Sequence, residues 1–369
     1  MNKFFHIYLE PLEERYTEQW FRWFRDADYG TYRYIPIGGE ALCDKIKVGA
    51  FLDVNSTIHW KAEQVKQVAA LFHNNHVKDG DIFFVADMWF PVELLKYLIQ
   101  LNGIDAKVYA FLHAGTYTTE DFAAPMANWA KHVEVGWATA LDGIFVGSQY
   151  HKEAFLNRRL IAAGLPWQSI SDKIHVTGNP FNSAEVRLKG LYPSTKENLI
   201  IFPNRFDYEK RPNDFLNIAT ILKDRYPDWA FAICTSRNSM RSSHSWLTDL
   251  LYALNKHKIV QYNYDMTKEQ YYQMLSRAKV MVSTTIEENF GYCTLEAMAL
   301  DTIPVVPNRF SHPEIVGQGT CLYEDINDAL VKIESAMEAS LVNNRYGEQL
   351  EVYDRAVQRI VNICRGVLL

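Results

Sequence analysis

Short apolar runs recur along the chain, and each is followed by a stretch in which apolar residues return every three or four positions. The first half carries FFHIYL, YRYIPI, DIFFVAD, KVYAFLH, GIFVGS and KIHVTG, and the second NLIIFPN, AFAICTS, KIVQYN, KVMVSTT, TIPVVP and TCLYE. Runs of this length, rich in Val, Ile, Phe and Tyr, predict strands buried on both faces. The stretches between them, such as 267–278 with Thr267 as N-cap, predict amphipathic covering helices. The alternation describes βαβ units and hence parallel sheets. Twelve strands are too many for one twisted sheet, so an α/β chain with two doubly wound sheets is expected. Turn residues and Pro193 without periodicity mark 179–198 as the seam, with the boundary near 185–196. The expected division is an N-terminal domain 1–190, a C-terminal domain 191–345 and a long amphipathic helix 346–369. That helix carries its apolar stripe at Leu350, Val352, Tyr353, Val357, Ile360, Val361 and Leu368.

Composition changes this picture little. At 369 residues, 48% hydrophobic and 22% charged, the chain holds enough apolar side chains for two cores of common size. A formal net charge of -6 argues against a nucleic-acid grip by bulk positive charge, although a sum hides local patches. The five cysteines, Cys43, Cys234, Cys293, Cys321 and Cys364, are scattered without CxxC spacing, which predicts buried reduced thiols and a reducing compartment. No stretch reaches the roughly 18 apolar residues of a membrane span, so a cytoplasmic protein is expected.

Candidate chemistry concentrates at 287–306, EENFGYCTLEAMALDTIPVV. The strand KVMVSTT ends just before it and YCTLEAMAL reads as a helix, so 286–291 is a strand-to-helix loop at the carboxyl edge of a parallel sheet, where ligands bind. Gly291 would let a phosphate approach, and the N–H groups of Tyr292, Cys293 and Thr294 at the helix start would hold it. Carboxylates beside a phosphate need another partner. Glu288 before the glycine and Glu296 one turn into the helix suit the hydroxyls of a sugar and of a ribose. In isolation such spacing is common by accident, and both glutamates are then a solvated charge and a helix-start acid. A second loop at the same edge, NRFDYEKRPNDF, places Arg205 and Lys210 where they could converge on the phosphates, or stay solvated.

Together NRFDYEK, EENFGYCTLEAMALDTIPVV and SHPEIVG resemble, in order and spacing, the motifs of the retaining GT-B glycosyltransferases, the glycosyltransferases of group 1. DGIFVGSQYHKEAF and VTGNPFN extend the likeness over roughly 105–320. The resemblance implies two Rossmann-like domains facing a cleft, with the last helix crossing back to the N-domain. It implies that Arg205 and Lys210 hold a diphosphate, Glu288 the donor sugar, Glu296 the ribose, and the backbone of Asn289, Phe290, Gly291, Tyr292, Cys293 and Thr294 the phosphates. His113 in FLHAGTY matches the family's N-domain histidine beside the donor sugar, while read by itself it is equally a hydrogen-bonded strand-end residue. No cofactor and no metal is implied, only a nucleotide-sugar co-substrate, with a UDP-sugar expected from frequency in the group.

The chain departs from the pattern at its first loop, 10–24, which holds no glycine where the family commonly carries a glycine-rich turn. Arg15, Tyr16 and Thr17 stand there instead, followed by Trp20, Phe21, Trp23 and Phe24, which read first as core aromatics. Arg15, Tyr16 and Asp53 are the candidate acceptor-binding residues, with Asn55, Lys61 and Gln64 near a second helix start. The two loops resemble those of phage-encoded glycosyltransferases, which makes 5-hydroxymethylcytosine in double-stranded DNA one candidate acceptor, the host cytoplasm then being the location. A glycan or lipid-linked acceptor, a binding protein without turnover and a sugar-nucleotide epimerase are the alternatives. Tyr262 and Tyr264 are candidates to lie against the base.

Overall fold

The computed structural model describes every residue except 13–14, 43–52, 120, 122, 165–166, 192–194, 237–244, 318–320, 341 and 368–369, and except the side chains at 235–236 and 264–265. Cys43, Pro193, Leu368 and the Tyr264 side chain therefore lie outside the described residues. All twelve expected strands form, six in each of two all-parallel sheets. The chain folds as two compact units, one running to Phe181 and resuming at Arg355, the other comprising Asn182–Asp354 among its described residues.

In the first unit the strands are β1 (Lys3–Ile7), β2 (Arg33–Ile37), β3 (Ile82–Val85), β4 (Lys107–Phe111), β5 (Gly143–Val146) and β6 (Ile174–Val176), in the order β2-β1-β3-β4-β5-β6. Side chains alternate between the sheet's faces. Phe5 and Ile7 pack with Val68, Phe72 and Phe83 on one face. On the other, Phe4 joins Trp20 and Phe24 of the helix Tyr16–Arg25 and Val357, Ile360 and Val361 of the helix Ala356–Cys364. Each such fully buried aromatic stabilises the unit by on the order of 2–3 kcal/mol. Trp20 and Phe24 are thus core, as their spacing indicated.

The second unit contains β7 (Glu197–Phe202), β8 (Ala230–Ser236), β9 (Gln261–Met266), β10 (Ala278–Val282), β11 (Ile303–Pro307) and β12 (Leu322–Tyr323), in the order β12-β11-β10-β7-β8-β9. The order reverses between β7 and β10, so the segments leaving these two neighbours depart to opposite sides and leave a crevice at their carboxyl ends. Both motif loops, 203–211 after β7 and 283–291 after β10, spring from that point.

Two boundaries differ from the sequence pattern. The helix Ser183–Lys189 belongs to the second unit, because Arg187 donates to the Ala299 carbonyl at 2.8 Å and Gly190 closes against Leu300. The terminal segment is two helices, Gly347–Asp354 and Ala356–Cys364, in place of one. Leu350 and Tyr353 are buried in the second unit and Val357, Ile360, Val361 and Cys364 in the first, so the two halves of the apolar stripe serve different cores. Among the described residues, no helix is long and apolar enough to cross a membrane.

Candidate active site

The loop after β7 is fixed to the segment after β10 before any ligand is considered. Thr284 Oγ1 donates to the carbonyls of Lys210 (2.9 Å) and Arg211 (2.8 Å), while Thr285 Oγ1 (3.1 Å) and the Ile286 N–H (3.0 Å) both reach the Glu209 carbonyl. Asn204 Nδ2 reaches Ser283 Oγ at 3.3 Å across the strand ends. Asp207 caps the single 3-10 turn Tyr208–Lys210, and Arg211, in left-handed conformation at φ 50°, turns the chain into the helix Pro212–Arg225. This lacing brings the Lys210 ammonium to 2.9 Å from Glu288 Oε2, across 78 positions of sequence.

The Lys210–Glu288 pair is the centre of the site. Burial pushes the Glu288 carboxyl up, but the Lys210 charge and the hydrogen bonds from Lys210 and the Phe290 N–H outweigh it and hold the group below the usual carboxylate value. Burial pulls Lys210 down and Glu288 more than compensates, so its pKa lies above the ordinary lysine value. Both groups are therefore charged at neutral pH. Arg205 lies at the loop's outer edge, its side chain 37% exposed, paired with Glu209 and 3.9 Å from Asp207. One guanidinium and one ammonium thus flank the crevice, and a diphosphate there would compete with Glu209 and Glu288 for them.

Gly291 sits at φ 93° and ψ 60° as the N-cap of the helix Tyr292–Ala299, a conformation that L side chains rarely adopt. A Cβ there would also meet Ile315 Cδ1 at 3.3 Å and Glu288 Cγ at 3.5 Å. The glycine is needed by its own turn as well as for a ligand's approach. The Thr294 N–H bonds the Gly291 carbonyl at 3.1 Å, so it is already engaged, unlike the reading in which it faced a phosphate. Cys293 Sγ reaches the Pro203 carbonyl at 3.4 Å, and burial pushes its thiol up to about 12. Phe290 is buried edge-on against Tyr292 and Tyr353.

Glu296 is engaged by neighbouring side chains of its own unit. Its Oε1 accepts from Lys268 Nζ (2.7 Å) and Tyr272 Oη (3.1 Å), and its Oε2 from Tyr271 Oη (2.8 Å). An ionised carboxylate has about four acceptor positions, so at most one is left and a two-handed grip on a ribose diol requires displacing one of these three partners. The three partners lie on one face of the helix Lys268–Arg277, which Thr267 starts with a full capping box. Their spacing, Lys268 then Tyr271 and Tyr272 three and four positions on, was the signal in the sequence that this carboxylate has a protein partner.

The first unit holds the remaining candidates, in the segments that follow β1, β2, β3 and β4. His113 Nε2 lies 2.7 Å from the Ala86 carbonyl, which can only accept, so Nε2 carries the proton and Nδ1 faces Tyr16 Oη at 3.3 Å. Burial keeps this imidazole below its ordinary pKa and hence neutral. Both ring nitrogens are engaged within the unit, and Tyr16 serves to orient the ring. Arg15 stacks over Tyr16 at 5.7 Å. Asp53 is the N-cap of the helix Val54–His73, accepting from the Ser56 N–H at 3.0 Å, which is a helix-start role where the sequence allowed an acceptor contact. Lys61 pairs with Asp87 at 2.7 Å, and Gln64 holds the carbonyls of Tyr8 and Ile37. Asp87 had no motif to reveal it.

Residues 188–350 match the family model of glycosyl transferases group 1. The chain is similar to a tRNA-queuosine alpha-mannosyltransferase of Drosophila melanogaster, 26% identical over 277 residues covering 70% of this chain and 71% of that protein. Among solved structures it resembles the N-terminal domain of Candida albicans trehalose-6-phosphate phosphatase (TM-score 0.65, 13% identity, 99% of this chain and 95% of that one). It also resembles an α,α-trehalose-phosphate synthase (UDP-forming) from Burkholderia vietnamiensis (TM-score 0.57, 14% identity, 83% and 73%). The fold is GT-B, and the protein is a glycosyltransferase.

Proposed function

We propose that the protein is a retaining glycosyltransferase that moves one sugar from a nucleoside diphosphate donor to a hydroxyl of a modified nucleoside in a nucleic acid. The observation that carries the donor half is the buried Lys210–Glu288 pair at the β7/β10 reversal, with Arg205 beside it. In this reading Arg205 and Lys210 bind the diphosphate, and Glu288 accepts hydroxyls of the sugar. The backbone from Asn289 through Phe290, Gly291, Tyr292 and Cys293 lines the phosphates. The acceptor oxygen bonds to the anomeric carbon on the face from which the diphosphate departs, its proton passing to the departing phosphate oxygen. Catalysis then comes from positioning and from the two cations that stabilise the leaving group, which makes a divalent ion unnecessary.

The acceptor half rests on the similarity to the tRNA-queuosine alpha-mannosyltransferase, which spans 70% of this chain and so includes far more than the donor motifs. RNA is the favoured acceptor on that ground, and double-stranded DNA carrying 5-hydroxymethylcytosine is the other nucleic acid to be tried. The four described cysteines are free thiols, in keeping with work in the cytoplasm. The test is to incubate the protein with UDP-glucose, UDP-N-acetylglucosamine or GDP-mannose, each with queuosine-containing tRNA, hydroxymethylated DNA or neither. Nucleotide release and nucleoside mass are followed, with and without EDTA. One donor should raise the mass of one nucleoside by one sugar, unaffected by EDTA. A donor consumed with neither nucleic acid changed removes the nucleic-acid acceptor, and no consumption of any donor removes the activity.

A further inference from the structure

The short helix His312–Val316 follows β11 and packs onto the loop that carries Glu288 and Gly291. Ser311 fixes it there: its hydroxyl lies 3.0 Å from the carbonyls of both Glu288 and Phe290, and its N–H 3.3 Å from the former. The next residue, His312, is 1% exposed, and neither of its ring nitrogens has a hydrogen-bond partner. A buried imidazole with both nitrogens unpartnered costs desolvation energy that native interiors rarely leave uncompensated. Ser311 on one side of it holds the Glu288 and Phe290 carbonyls, and Ile315 of the same short helix lies against Gly291, so His312 belongs to the segment that backs the donor loop.

We propose that His312 is a sugar-binding side chain of the donor site, hydrogen-bonding hydroxyl groups of the transferred sugar beside Glu288. The inference rests on the donor reading above and adds to it the residue that distinguishes one sugar from another. Burial drops the ring's pKa to about 4, with Glu288 pulling it up and Lys210 and Arg309 pushing it down, so it is neutral at pH 7. A neutral imidazole has one N–H donor and one acceptor nitrogen. Ionised diphosphate oxygens only accept and would leave the acceptor nitrogen unmatched. Sugar hydroxyls both donate and accept, so they can complete both nitrogens, and their placement on the ring differs between epimers.

The experiment measures, by titration calorimetry, the affinity of the wild type, His312→Leu and His312→Gln for UDP-glucose, UDP-N-acetylglucosamine and GDP-mannose, and for UDP and GDP alone. His312→Leu should bind the preferred sugar nucleotide roughly 10-fold more weakly, the loss of one buried hydrogen bond, while its affinity for the bare nucleotide stays within about 2-fold. His312→Gln keeps a donor and an acceptor and should recover part of the loss; its unchanged affinity for the bare nucleotide reports an intact site. Equal losses for the sugar nucleotide and the bare nucleotide, or no loss for either, overturn the proposal and leave His312 as a packing residue or the host of a buried water. Wild-type protein that binds none of the three sugar nucleotides overturns the donor reading itself. Wild-type binding that both variants retain in full sinks the His312 assignment alone.

Discussion

Replacing Glu296 by alanine separates its two readings, because they act on different quantities. The carboxylate is 3% exposed and holds Lys268, Tyr271 and Tyr272. Burial pulls the Lys268 ammonium down but Glu296 raises it well above the ordinary lysine value, so deleting the carboxylate strands a cation. Removing one member of a buried ion pair costs about 3–5 kcal/mol. The Lys268 side chain keeps 23% exposure and can recover some hydration, which places the loss near the lower end, about 3 kcal/mol. For a unit of this size 1 kcal/mol moves Tm by roughly 2–4 °C, so Glu296→Ala should melt roughly 6–12 °C lower, read by circular dichroism. The double substitution Glu296→Leu with Lys268→Met should recover most of that loss, since no buried charge remains. Below the melting transition, nucleotide affinity should fall only a few-fold, in proportion to the single acceptor position that the carboxylate has left. A variant that melts with the wild type yet binds nucleotide 100-fold more weakly would refute this account and restore Glu296 as a ribose ligand.

Arg205 is the cleaner probe of phosphate binding: its side chain is 37% exposed, so Arg205→Ala should shift stability by less than about 1 kcal/mol while lowering turnover by roughly 100-fold. Near-normal turnover with normal Tm would remove Arg205 from the site. Gly291→Ala should cost about 1–3 kcal/mol, because alanine is strained at φ 93° and its Cβ meets Ile315, and a melting curve superimposable on the wild type would show that the loop turns differently. Acid should destabilise the protein early. His6 and His151 are lowered by burial to about 3 and His312 to about 4, so between pH 6.5 and 4 the unfolded chain takes up protons that the folded chain refuses. Stability is then complete above about pH 6.5 and falls as pH drops, by about 1.4 kcal/mol per pH unit for each such group. Denaturant midpoints that stay constant from pH 7 to pH 5 would contradict it.

The twelve strands were legible because parallel strands buried on both faces read as short continuous apolar runs. The Arg205, Lys210, Glu288 and Gly291 loops were legible for a related reason: each follows a strand at the edge where chemistry collects, and short loops keep their sequence order in space. What the sequence hid is pairing across distance. Lys210 and Glu288 appeared as separate ligands for separate parts of a donor, and the structure joins them into one buried pair because Thr284 and Thr285 bind the other loop's carbonyls. Glu296 shows the opposite limit. A helix-start glutamate invites a dipole or ligand reading, and only the helix Lys268–Arg277, brought alongside by the fold, supplies the cation and two hydroxyls that occupy it. His113 and Asp53 show the same limit, since a carbonyl from β3's end and a backbone N–H engage groups that looked available in the sequence. The residues whose partners are missing are therefore more telling than those whose motif is familiar. His312, inside the SHPEIVG motif, keeps two buried nitrogens unmatched next to the residue that holds the Glu288 carbonyl, and that unfilled hydrogen-bonding capacity distinguishes it from the carboxylates whose neighbours already complete them.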